Sequence, residues 1–228
     1  MTEHAKIASR AAVASALFGA LAGLCWGLSS PAALAQSTDP GIDPGIDPMS
    51  PEEEAAEAPA ETGPTQRPSA EEELAVLLEA LRDPEAPNPE AMEERIVELW
   101  SRSGSATADL LLERGRAALG AQELGIAIGH LTALTDHAPD FAEGWNARAT
   151  AFFMMEEFGL AMADIERVLE LNPEHFGALA GLGLILDQTG RPEAALAAFR
   201  EAQRLNPHRD QINQAVDRLA PEVDGQQL

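Results

Sequence analysis

The chain has 228 residues, with 38 Asp and Glu against 15 Lys and Arg, a formal net charge of −23 and a single cysteine. So acidic a protein repels nucleic acid and anionic lipid surfaces, and neither is expected as a partner. One cysteine excludes an intramolecular disulfide framework, so the core has to hold without one.

In chain order, MTEHAKIASR carries Lys6 and Arg10, Ala11 to Leu28 is an apolar run, and Ala33-Leu34-Ala35 is a small-x-small site. That is the grammar of a secretory signal peptide over residues 1–35, with cleavage expected after Ala35 and the periplasm as destination. The alternative is an uncleaved anchor facing the periplasm, since the run reaches the lower limit for a span, and membrane contact is expected only in that form. Leu24 precedes Cys25 where a lipidation site needs a small residue, which argues against a lipid anchor. Cleavage would leave no cysteine and no lysine, and a formal charge of −24 once Glu3, Lys6 and Arg10 are gone.

Residues 36–69 repeat DPGI units and continue as EEEAAEAPAETGPTQRP. Acids, prolines and small residues without a hydrophobic pattern predict a disordered linker. Asp39, Asp43 and Asp47 are isolated by Pro and Gly, and a calcium loop needs six or more oxygens at tight spacing.

Helical periodicity begins at Ser69, a candidate N-cap with Glu72 three residues on, followed by the stripe Leu74, Leu77, Leu78, Leu81. Asp83-Pro84 breaks it. A second helix is expected from Asn88 as cap and Pro89 as first residue, with Met92, Ile96, Leu99 and Trp100 on one face, until Ser103-Gly104-Ser105 stops it. Residues 70–107 thus read as a helical hairpin, a degenerate repeat expected to cap the N-terminal end of a helical stack.

The phrase LNP ends VLELNP at Pro173 and AQRLNP at Pro207, 34 residues apart. At that period three copies align without a gap, at 108–141, 142–175 and 176–209. Gly115, Ala149 and Gly183 are small where the first helix of each pair would cross the second, and Ala127, Ala161 and Ala195 answer them. Trp145, Phe152, Ile165 and Phe199 are expected to fill the space between layers. Pro139, Pro173 and Pro207 stop each second helix. Residues 210–221 then read as a capping helix with Ile212, Val216 and Leu219 inward, and 222–228 as a disordered tail.

The copies resemble the tetratricopeptide repeat, whose pattern is W-x2-L-G-x2-Y, then A-x3-F, then P. The second copy matches with Trp145, Ala149, Phe152, Ala161, Ile165 and Pro173, and the third with Leu179, Leu182, Gly183, Leu186, Ala195, Phe199 and Pro207. The first reads Leu111, Gly115, Ala118, Ala127, Leu131 and Pro139. Arg114 and Arg148 stand where the pattern has Leu, a departure that bears on local packing. The resemblance implies an all-α solenoid of helical hairpins with three 34-residue repeats, an N-terminal helical hairpin and a C-terminal capping helix.

It also implies a concave face formed by the first helices, here Leu112, Arg116, Asn146, Thr150, Phe153, Met154, Leu184, Asp187 and Gln188. Such a groove would take a protein or peptide partner, with Asn, Thr and Gln bonding its backbone. Members that clamp a C-terminal carboxylate use Lys and Asn at places that hold Leu112, Ala147, Gly177 and Gly181 here, so that activity is not expected. His130, His137, His175 and His208 fall in different copies, without zinc-ligand spacing on one helix face. No phosphate loop or nucleophile elbow is present, so no enzyme activity, cofactor or metal is expected. The second reading is a structural component of a cell-envelope assembly that packs through other faces of the solenoid.

Overall fold

The computed structural model describes residues 68–225. The expected signal segment, nearly all of the acidic linker and the last three residues lie outside the described residues. Among those described, all regular structure is helical: α1 (Ala70–Leu81), α2 (Pro89–Trp100), α3 (Ala106–Gly120), α4 (Leu124–His137), α5 (Ala142–Met154), α6 (Phe158–Leu171), α7 (Phe176–Gln188), α8 (Pro192–Leu205) and α9 (Asp210–Gly225).

The start of α1 follows from its sequence. The Glu72 N–H donates to Ser69 Oγ at 3.2 Å and the Ser69 N–H donates to Glu72 Oε2 at 2.8 Å, closing a reciprocal capping box. Asn88 behaves differently from expectation. It adopts a left-handed conformation, φ +54°, and its side chain caps nothing, so Pro89 alone sets the start of α2. Ser105 begins α3 two residues before the expected repeat boundary by accepting the Ala108 N–H.

The second helices α4, α6 and α8 begin at 124, 158 and 192, one period apart. The LNP phrase is a turn with its own hydrogen bonds. Leu171 and Leu205 are the last helical residues, and Asn172 and Asn206 swing to extended backbone as residues before proline do. Their side-chain oxygens each accept an N–H two residues on, from Glu174 and His208 at 3.2 Å.

Within a pair the helices approach closely where the small residues stand. A Cβ on Gly115 would come 2.5 Å from Leu131, and one on Gly183 would come 2.8 Å from the Phe199 ring. The facing partner is therefore the large residue one turn beyond the expected alanine. Ala149, Ala127, Ala161 and Ala195 are all fully buried. Consecutive pairs pack on one another in chain order, and α5 approaches both α3 and α7, so the first helices line the inner side of the stack.

Two packing expectations change. Ile165 and Phe199 are buried, but Trp145 and Phe152 are only half-buried. They instead flank the Arg148 guanidinium, 4.8 and 5.7 Å from the two ring centroids. Arg148 forks onto Asp164 with two bonds of 2.8 Å and donates to Thr135 Oγ1 at 2.9 Å, which ties α5 to α4 and α6. At the C-terminus, α9 runs to Gly225, past the expected end. Pro221 removes one backbone bond, yet Val223 is buried beside Leu219, and Asp224 pairs with Arg200 at 3.0 Å.

The largest correction concerns α1–α2. The hairpin forms as expected, with the Arg95 guanidinium forked onto Glu73 at 2.7 and 2.8 Å. It does not, however, stack on α3–α4 as a preceding layer. Leu78, Leu81 and Ile96 join the hydrophobic cluster of α5 to α9. Its polar groups reach the two LNP turns: Arg82 bonds Glu174, Glu93 bonds Asn206 and Arg209, and the Asp83 carbonyl lies 3.0 Å from His208 Nε2. The physical reasons are apolar burial and charge together. Arg209 is a buried guanidinium, and Glu93 brings it a carboxylate that a burial of this kind requires.

Gly183→Ala is expected to destabilise the protein by about 1–2 kcal/mol, because overpacking against Phe199 outweighs the helix-propensity gain. Gly129→Ala, on α4 with open space around it, is expected to stabilise by roughly 0.5–1 kcal/mol. Urea titrations of the two variants check both signs.

Candidate functional site

The inner face is built from α3, α5 and α7, and the nine residues assigned to it differ widely in environment. Leu112, Asn146, Thr150, Phe153 and Leu184 are buried, Arg116, Met154 and Asp187 are half-buried, and Gln188 is exposed. Thr150 Oγ1 donates to the Asn146 carbonyl at 3.0 Å, so its hydroxyl proton serves its own helix. Phe153 packs at 5.7 Å on Phe158, and Asp187 pairs with Arg218 of α9 at 2.5 Å. The structure brings only Arg116 and Asn146 together in one polar network, through a residue that sequence reasoning missed.

That residue is Glu143. Its Oε1 accepts from Arg116 Nη2 at 2.5 Å and from Asn146 Nδ2 at 3.2 Å, and its Oε2 lies 3.0 Å from His175 Nε2. His175 Nδ1 accepts the Ala178 N–H at 3.0 Å, capping α7, which leaves the ring proton on Nε2 facing the carboxylate. One carboxylate therefore ties together α3, α5 and the start of α7. A signal for it exists in the sequence: at 34-residue spacing the other copies place Asp109 and Gly177 there, and neither is followed by an Asn three residues on.

The hairpin closes this network from outside. The Trp100 ring stacks on His175 at 4.5 Å and leans on Phe176 at 5.0 Å. The next residue, Ser101, accepts from Arg116 Nη1 at 2.9 Å. A closed ring of contacts thus runs Trp100, His175, Glu143, Arg116, Ser101. Two buried polar atoms on the same face have no partner among the described residues: Asn146 Oδ1, an acceptor, and Arg116 Nε, a donor. Among the described residues, no group of three or more His, Cys, Asp or Glu is placed to hold a metal ion.

Burial by itself would push the Glu143 carboxyl up. The His175 hydrogen bond, the charges of Arg116 and of His175 when protonated, and the Asn146 amide outweigh it and hold the group at about 2, against an ordinary 4.5. The folded state thus binds fewer protons than the unfolded state between these values. This contribution to stability is complete above about pH 4.5, falls as the pH drops toward 2, and is on the order of 3 kcal/mol. Glu143→Gln is expected to flatten that part of the stability–pH curve, read from chemical unfolding at successive pH values.

Comparison with known proteins agrees with the geometry. A family profile described as tetratricopeptide repeat matches residues 155–210, the stretch that holds α6 to α8. A TPR repeat-containing protein of Rhizobium etli is 35% identical over 153 residues, covering 65% of this chain and 74% of the relative. DnaJ homolog subfamily C member 3 of Rattus norvegicus is 29% identical over 124 residues, 54% of this chain but only 25% of the relative. A solved structure of MamA AMB-1 superposes with a TM-score of 0.45 at 19% identity, covering 68% of this chain and 82% of that one. With repeat-phased hairpins in the structure and a TPR relative matched over most of its length, the chain belongs to the tetratricopeptide repeat family.

Proposed function

We propose that this protein is a non-catalytic adaptor that holds a protein or peptide partner on its inner face, and that it does so after export to the periplasm. The observation that carries the reading is the pair of unpartnered atoms beside Glu143. An acceptor and a donor left unsatisfied in a buried site each cost roughly 1–3 kcal/mol. Polar groups of a partner are their complement, a donor meeting Asn146 Oδ1 and an acceptor meeting Arg116 Nε. The family membership supports an interaction module, since repeats of this kind present extended binding surfaces. The export part rests on the leader grammar of residues 1–35, and retention of that segment would tether the same adaptor to the membrane.

A second reading, a structural component of an envelope assembly, has one specific support. Ile126 and Leu160 occupy the same place in successive second helices and are 53% and 50% exposed, an apolar ridge away from the inner face.

Photo-crosslinking in cells separates the two. A photoreactive residue at Gln188, exposed at the end of α7, is expected to give one dominant protein adduct. Asn146→Leu should abolish that adduct; because it also takes the Nδ2 donor from Glu143 and lowers the melting temperature, Gly183→Ala, destabilised by packing alone, is the control and should keep the adduct. Adducts arising only from probes at Ile126 or Leu160 would replace the adaptor reading with the structural one.

A further inference from the structure

We infer that the α1–α2 hairpin is a resident, displaceable occupant of the partner-binding face, and that the partner which replaces it is an amphipathic helix with a carboxylate on one turn and an aromatic ring about two turns later. This rests on the adaptor reading and specifies the partner for that same face.

The surface beneath the hairpin is shaped for such a ligand. Arg209 and Asn206 receive the Glu93 carboxylate, with Arg209 Nε donating at 3.0 Å and Asn206 Nδ2 at 2.7 Å. Arg209 is held in place over the Phe176 ring, 5.1 Å from its centroid. Seven residues after Glu93, two turns along the same helix, Trp100 lies on His175 and Phe176. Ile96, between them, is fully buried. Glu93, Ile96 and Trp100 stand at i, i+3 and i+7, the anchor spacing of a helix lying in a groove. The receiving side chains belong to the start of α7 and to the turn between α8 and α9, so they would persist with the hairpin gone.

The attachment also has the character of a releasable contact. Its polar anchors, Arg82 to Glu174, Glu93 to Arg209, Ser101 to Arg116 and His208 to the Asp83 carbonyl, stand beside the apolar Leu78, Leu81 and Ile96. The backbones of α1 and α2 approach each other far more closely than they approach any other helix, so the attachment is made by side chains. The connection to α3 is short and non-helical, passes through Gly104 at φ +79°, and is tied to α3 where the Ser103 N–H and hydroxyl donate to Asp109 at 2.9 and 2.6 Å. Meanwhile α3 to α9 keep their own buried set, including Leu131, Ile165, Phe199, Leu205 and Ile212. Lifting the hairpin would uncover Glu143, His175 and Arg116, the network that holds both unpartnered atoms.

The test uses the full chain and a fluorescein-labelled peptide of residues 68–105 as the probe. Wild-type protein, its face occupied, is expected to leave the anisotropy of the peptide unchanged. Glu93→Arg in the protein should release the hairpin, seen as faster amide exchange over residues 74–100, and allow the peptide to bind. Adding Arg209→Glu to that protein should weaken peptide binding by about a hundredfold, as loss of a buried charge pair does. A peptide carrying Glu93→Arg should recover it. Arg82→Glu, which turns the Glu174 contact repulsive at a less buried position, provides a second opened protein should Glu93→Arg fail to fold.

Peptide binding by neither opened protein, with exchange confirming release, would overturn the inference. So would loss of the whole fold in both variants, which would make the hairpin part of the core. Hairpins exchanged between two wild-type chains, found as a dimer in mixed-tag pull-downs, would replace the helical partner with a second copy. Peptide capture without any cellular adduct at Gln188 would sink the adaptor reading while leaving the displaceable hairpin standing.

Discussion

The Gly183 backbone lies so close to the Phe199 ring that a methyl group there would sit 2.8 Å from it, and the same approach recurs between Gly115 and Leu131. This close crossing within each helix pair is the constraint on which the rest depends. It makes each pair a flat unit, with one large side chain of the second helix seated on the small residue of the first. Flat units can stack only through their broad sides, and the stack then turns its first helices inward. The LNP turns arise from the same requirement. Each second helix has to stop and reverse within a few residues, and an Asn that bonds the N–H two residues on, with a proline between, does so without leaving that donor unpaired.

Stacking alone leaves the inner helices free to slide past one another, and Glu143 opposes that. A carboxylate buried among Arg116, Asn146 and His175 has four bonds' worth of acceptor capacity and three donors arriving from three successive helices or their starts. Losing one partner of such a buried charge costs about 3–5 kcal/mol, more than a surface pair by a wide margin. The network therefore sets the register of the face, and it does so at the expense of two atoms it leaves unsatisfied. The ring of contacts closes on the carboxylate, and Asn146 Oδ1 and Arg116 Nε stay outside it without a bond.

The repeat architecture was legible because its causes are local. Small residues at 115, 149 and 183, prolines at 139, 173 and 207, and the capping box at Ser69 each act within a few residues or one period, so spacing reveals them. Arg148 was visible as a departure but not as a solution, since Asp164 lies sixteen residues away on another helix and only the packed pair brings the fork together. The extension of α9 past Pro221 was hidden for a related reason: the gain comes from Val223 meeting a core that belongs to other helices. The nine groove positions came from the family geometry; they lie on α3, α5 and α7, and spacing says nothing of their surroundings. Side chains read as open to a ligand, such as Phe153 and Thr150, are buried or bonded, and the determining residues Glu143, His175 and Trp100 owe their roles to contacts 32 and 75 residues away.

Placement of the hairpin has a quantitative consequence for any partner. An occupant tethered through a linker of a few residues acts at an effective concentration on the order of mM, so it holds its site even if its intrinsic affinity is modest. A partner that binds the same face must overcome that occupancy, and its apparent affinity is the intrinsic one reduced by the fraction of molecules with the hairpin lifted. A face open one time in a hundred would cost about 2.7 kcal/mol of apparent binding energy. The two unpartnered atoms supply a difference in the partner's favour. The resident hairpin meets Arg116 through Ser101 and the His175 ring through Trp100, yet it leaves Arg116 Nε and Asn146 Oδ1 without bonds. A helix or peptide that satisfied both would gain what the hairpin forgoes, at roughly 1–3 kcal/mol for each group, which is of the size needed to displace it. On the proposed reading, exclusion of weak, merely apolar ligands and admission of one with the right polar pattern would both come from a single arrangement, a face covered by a good but incomplete copy of its partner.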